Sequence, residues 1–138
     1  MSDTDSVKVL IFVESRYGAN RKRIKGKIQK TLSANEISTP VEVSIAVVGD
    51  RKMRELSKKY TGEDKTHNVL SFSQTDLPAG RQEGESGASR GDVLRLGDIV
   101  ISYPEVIREA SKEEMLVDDK VDELVEHGLL HLLGLHHE

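Results

Sequence analysis

Residues Val41 to Tyr60 read VEVSIAVVGDRKMRELSKKY and change hydrophobic period once. Val41, Val43, Ile45 and Val47 fall on every second residue, the period of a strand with one face buried. After Gly49 the spacing changes. Met53, Leu56 and Tyr60 recur three and four residues apart, one stripe of a helix, and Asp50 is placed to cap it. The same unit stands upstream. Val7, Val9, Ile11 and Val13 alternate, and Asn20 then caps a helix with Ile24, Ile28 and Leu32 on one face. Downstream, Val69 to Phe72 form a short strand, and Ile99 to Ile101 a fourth after Gly97 and Asp98. Pro104 opens a helix through Val106, Ile107 and Ala110. A last helix starts near Val117, carries Val121, Leu124 and Val125, reaches Leu133 and stops at Gly134. This order predicts an α+β fold: a small mixed sheet of about four strands with helices packed on it. Residues 76–92, rich in Gly, Ser, Glu and Arg, are expected to form a mobile surface loop within one domain spanning 1–138.

The 138 residues suit one domain and include no cysteine, which excludes disulfides, thiolate nucleophiles and Cys-based metal sites. Any metal must use His, Asp or Glu. The aromatics are Phe12, Phe72, Tyr17, Tyr60 and Tyr103, too few for a broad stacking platform. No window reaches transmembrane length and no signal peptide is visible, so no membrane partner and a cytoplasmic location are expected. The net charge of −4 is uneven: residues 1–60 hold 13 Lys/Arg against 7 Asp/Glu, and residues 61–138 hold 7 against 17. The densest basic run is Arg21, Lys22, Arg23, Lys25, Lys27 and Lys30. It is either a solvated helix face or a polyanion contact, through Arg21, Lys22 and Lys25.

Four of the five histidines lie in the last twelve residues, within His127-Gly-Leu-Leu-His131-Leu-Leu-Gly134-Leu-His136-His137. His127 and His131 stand four apart on the predicted helix and leave the same face about one turn apart. Gly134 lets the chain turn back, so that His137 can supply a third nitrogen. Three imidazoles with one open position describe a zincin-like catalytic zinc site, one Zn2+ per chain, whose bound water has its pKa lowered toward ~7. The intervening leucines imply burial around the histidines. The ligands and glycine match the metzincin skeleton, but a zincin protease has Glu as general base where this chain has Gly128. Glycine abstracts no proton, so peptide hydrolysis is disfavoured.

The histidine stretch resembles the signature of the YbeY family, single-strand-specific endoribonucleases also known as rRNA maturation factors. Val48-Gly49-Asp50 with Met53-Arg54-Glu55-Leu56, Asn68 to Phe72, and Leu96 to Ser102 agree with the family in the same order. The resemblance covers residues 41–138. It implies a metal-dependent hydrolase acting on single-stranded RNA, not DNA, in 16S rRNA 3′-end maturation and ribosome quality control, with the ribosome or its small subunit as partner. By motif position it implies His127, His131 and His137 as zinc ligands. The open edge beside Ser71 and Phe72 is expected to hold an extended RNA strand, with Ser71 a substrate contact and the basic N-terminal half touching phosphates.

This sequence departs from the family at several positions. His136 stands where the family has Asp, which leaves His136 open as a ligand in place of His137. Thr61 stands where it has an important Arg, and Thr66-His67 where it often has Pro-Thr. His67 could replace the lost cation or donate a proton; it could equally be a loop residue. Two alternatives accompany the endoribonuclease reading: a minimal zinc metalloprotease, and a non-catalytic, metal-containing ribosome-associated factor.

Overall fold

The computed structural model describes residues 7–73 and 93–135. The expected loop 76–92 and His136 and His137 lie outside the described residues. The chain runs β1 (Val7–Val13), α1 (Arg21–Ala34), β2 (Val41–Val48), α2 (Asp50–Thr61), β3 (Val69–Ser73), β4 (Leu94–Ser102), α3 (Tyr103–Lys112) and α4 (Val117–Leu132). The strands form one mixed sheet in the order β1-β2-β4-β3. The first two pairings are parallel, and β3 lies antiparallel to β4 at the edge.

Alternation sorts the strand side chains onto two faces. On one face Val13, Val43, Ile45, Val47, Ile99 and Ile101 pack beneath α1, α3 and α4. The helices contribute Ile24, Ile28 and Leu32 from α1, Val106 from α3, and Leu124 and Leu129 from α4. On the other face, among the described residues, α2 covers Val48, Phe72 and Val100 with Met53. β1 reaches beyond it and leaves Leu10 and Phe12 exposed. Among the described residues no helix is long and apolar enough to cross a membrane.

Two local expectations are corrected. Asn20 does cap α1, accepting a hydrogen bond from the Arg23 N–H. Asp50, however, does not cap α2: Gly49 is the N-cap and Asp50 the first helical residue. Its carboxylate points away from the helix end and accepts from Ser102 Oγ at 2.9 Å, Thr66 Oγ1 at 3.2 Å and Arg108 Nη2 at 3.1 Å. That ties α2 to the end of β4, to α3 and to the approach to β3. The fourth strand also starts earlier than expected, at Leu94, and runs through Gly97 and Asp98. An irregularity in its pairing with β2 lets Val43 face Gly97 directly after Glu42 faces Arg95. Leu96 is the extra residue, and this bulge interrupts the alternation that marks a strand in sequence.

Burial pushes the Asp50 carboxyl up, but the hydrogen bonds from Arg108, Ser102 and Thr66 outweigh it and hold the carboxyl below its usual value. A lowered carboxyl pKa in the fold contributes stability that is complete above the unfolded value, about 3.9, and is lost as pH falls through the folded value. The urea midpoint of the wild type should therefore fall toward that of Asp50→Asn as pH drops from 6 to 3. A gap between the two that stays constant over that range would contradict this role for Asp50.

Candidate metal centre at the edge strand

Two glycines let α4 lie close over β3 and β4. Gly128 is buried against Ile99, and a Cβ there would meet Ile99 Cγ2 at 3.0 Å. Position 128 therefore faces the sheet. A glutamate there would have to enter the packed layer, so this helix seat excludes a protease-type base for a reason of packing. Gly97 has φ +142°, and a Cβ on it would meet the Phe72 carbonyl oxygen at 2.2 Å and Leu132 Cδ2 at 3.1 Å. The glycine thus admits both the neighbouring edge strand and the last turn of α4.

This seating brings Ser71 and His131 together. Ser71 pairs with Ile99 across the ladder and faces α4. Its Oγ stands 2.6 Å from His131 Nδ1. A second network anchors the start of β3. Asn68 Nδ2 donates to Glu109 Oε1 at 3.0 Å, and the Asn68 carbonyl accepts from the Ser102 N–H at 3.0 Å. Glu109 also meets Lys120 Nζ at 3.6 Å. Lys120 is 4% exposed, and Glu113 accepts from it at 2.9 Å. β3, α3 and α4 are thereby fixed relative to one another.

His127 and His131 lie on one flank of α4, and both are exposed. The expectation that leucines bury them is corrected: Leu129 packs into the core on another side of the helix, and the imidazoles stay open to solvent. The helix ends as expected. Gly134 has φ +78°, the Leu135 N–H donates to the Leu130 carbonyl at 2.8 Å, and the Gly134 N–H to that of His131 at 3.0 Å. This is the αL closing turn that glycine permits.

The donor chemistry fits a divalent metal. Two imidazoles four residues apart share a flank, and a hydrogen-bonding partner at Nδ1 directs ligation of His131 through Nε2. His127 and His131 are the described members of the expected ligand set. No group of three possible ligands occurs among the described residues.

The other candidates fall elsewhere. His67 Nε2 lies 3.2 Å from Ser57 Oγ under α2. Ser57 donates its proton to the Glu63 carbonyl at 2.7 Å, so His67 is the donor of that pair. No hydrogen bond joins His67 to His127 or His131. The Thr61 hydroxyl is engaged within its own helix, donating to the Ser57 carbonyl at 2.7 Å.

The basic run divides. Arg23 pairs with Asp119 and Asp122 of α4, and Lys27 with Glu126 at 3.2 Å. Arg21 Nη1 donates to the Ile11 carbonyl of β1 at 2.7 Å, while Lys22 and Lys25 are exposed. Asp122 and His131 are nine residues apart on α4 and, at about 100° per residue, occupy opposite flanks. The Arg23–Asp122 pair therefore stands across α4 from His131. Sequence reading missed the seat of Gly128 on Ile99 and the Ser71–His131 contact. Both pair residues distant in sequence, and no local pattern marks them.

Fold and site together describe a small α+β domain that carries paired histidines at a sheet edge, and comparison with known proteins places it among endoribonucleases, hydrolases of RNA phosphodiester bonds. The chain belongs to the endoribonuclease YbeY family, whose model matches residues 12–138. It is 37% identical over 117 residues to the endoribonuclease YbeY of Syntrophus aciditrophicus, covering 85% of this chain and 67% of that protein. To that of Bartonella quintana it is 33% identical over 137 residues, covering 96% and 81%. To that of Rhodospirillum rubrum it is 38% identical over 100 residues, 72% of this chain, and spans 47% of that relative's length. The solution structure of TM1509 from Thermotoga maritima shares the fold, with TM-score 0.58 and 23% identity over 96% of this chain and 75% of that one.

Proposed function

We propose that this chain is a zinc-dependent endoribonuclease that cuts single-stranded RNA at the β3 edge. We further propose that it acts in the cytoplasm on ribosomal RNA, including 16S 3′-end maturation and quality control at the ribosome. The observation that carries the reading is the Ser71–His131 contact, which sets an imidazole of the family's motif on an edge strand. His127, His131 and His137 would hold the zinc. When bound, zinc supplies Lewis-acid polarisation of phosphoryl oxygens and makes a water more acidic. The chain's own residues do the rest. With Nε2 on the metal, His131 Nδ1 would carry the proton, and Ser71 Oγ, 2.6 Å away, would accept it and fix the ring. The outer edge of β3 lies next to an extended strand of RNA. The metalloprotease reading is disfavoured by Gly128, whose position faces Ile99.

One RNA sequence, offered single-stranded and as a duplex, tests the proposal beside casein. Cleavage confined to the single strand is expected. Casein digestion with intact RNA would overturn the proposal.

The role of Ser71 has its own test. Ser71→Ala should weaken zinc binding by roughly 10–100-fold, the usual effect of losing a partner behind a ligand, and Ser71→Thr should recover part of it. Competition with a chromophoric chelator measures this without any cleavage assay. Unchanged affinity in Ser71→Ala would return Ser71 to a substrate contact.

A further inference from the structure

We propose that the sheet face opposite the histidines holds a nucleobase pocket bordered by a basic helix, and that it grips one nucleotide of the RNA being cut. This rests on the RNA-cleavage reading and adds a second contact to it.

The register lays Leu10, Ser44, Asp98 and Phe72 side by side across β1, β2, β4 and β3. They line a cavity of about 350 Å3 together with Phe12 of β1 and Leu56 and Tyr60 of α2. That volume lies in the range of small-ligand sites. Three of the five aromatic residues meet here: Phe12, Tyr60 and Phe72. Tyr60 and Phe72 are in contact, with ring centroids 4.6 Å apart, and Phe12 is 58% exposed. The sequence has too few aromatics for a broad platform, but the fold gathers enough for one base. Bases stack on such rings whatever their sequence. Ser44 and Asp98 also line the cavity and give its mainly apolar wall a polar side.

The border is basic. Arg51, Lys52, Arg54, Lys58 and Lys59 are exposed on α2, and Lys59 Nζ lies 5.5 Å from the Tyr60 ring centroid. Of these five, Lys52 alone has an ion-pair partner among the described residues, Glu55 at 3.9 Å. The α1 run, by contrast, gives Arg23 and Lys27 to α4. An apolar slot beside uncompensated cations suits bases joined by phosphates. Position agrees as well. Ser71 and Phe72 are consecutive on the edge strand and face opposite sides, so a single strand crossing that edge meets both the histidines and the slot.

The test uses the metal-loaded full chain and a ten-nucleotide single-stranded RNA, with affinity read by fluorescence anisotropy across a salt series. Phe12→Ala should lower affinity roughly tenfold, the size of one lost base stack, with metal content and melting temperature unchanged. Lys58→Glu combined with Lys59→Glu should lower affinity and flatten the salt dependence by one or more phosphate contacts. If the wild type binds and cuts the RNA while both surface variants bind like it, the pocket is overturned and the cleavage reading stands. If the wild type binds no RNA, both fall. If Phe12→Ala alters self-association while RNA binding is unchanged, the face is a protein interface and the pocket is again overturned.

Discussion

Replacing His131 with alanine is expected to leave a folded chain that retains no stoichiometric metal and cuts single-stranded RNA at least roughly 10³-fold more slowly. A bound metal stabilises transition-state charge by several kcal/mol, and each 1.36 kcal/mol or so is a factor of ten in rate. His131 is exposed, so its truncation opens no cavity and the fold should survive. Metal analysis and circular dichroism on the same sample separate loss of the site from loss of the structure. Full metal occupancy in His131→Ala would show that the ligands lie elsewhere. The same measurement decides the third ligand: His137→Ala should lose the metal and His136→Ala should keep most of it.

Gly97→Ala is expected to cost about 3 kcal/mol or more of stability, which corresponds to a melting temperature lower by roughly 10 °C. Its φ of +142° disfavours any side chain, and the added Cβ would meet a backbone carbonyl at 2.2 Å. Relief requires β3 to move away from β4, and Ser71 moves with it. Zinc affinity should therefore fall together with stability, although Gly97 touches no histidine. A variant melting within about 2 °C of the wild type would show that the strands separate there at little cost.

Much of this architecture is legible in residue spacing because burial imposes it. Val41 to Val47 and Ile24 to Leu32 keep the periods of a strand and a helix, since one face of each must leave water. The reading fails where tertiary contacts override local pattern. Gly97 reads as the boundary of a strand because glycine interrupts alternation, yet it lies within β4 to admit the Phe72 carbonyl. Asp50 has the chemistry of a cap, but Ser102, Thr66 and Arg108 draw its carboxylate into a junction assembled from four segments. Gly128 reads as a missing base, while its packing reason is visible only with Ile99 beneath it. Density of charge likewise drew attention to α1. Once Arg23 and Lys27 pair with α4, α1 and α2 each keep four cations without an ion-pair partner among the described residues, and those of α2 border the aromatic slot. The histidine spacing was informative because helix geometry alone brings His127 and His131 to one flank. What lies opposite them, Ser71, depends on the order of strands in the sheet.

The most direct measurement of the central claim is metal content together with cleavage of one single-stranded RNA, before and after chelation, with the fold followed by circular dichroism. The account predicts about one equivalent of zinc per chain, cleavage lost on chelation with the fold retained, and cleavage restored by added zinc. Cleavage that persists undiminished in metal-free protein would contradict it. Unfolding on chelation, in a chain that never cut RNA, would make the metal structural and contradict it equally.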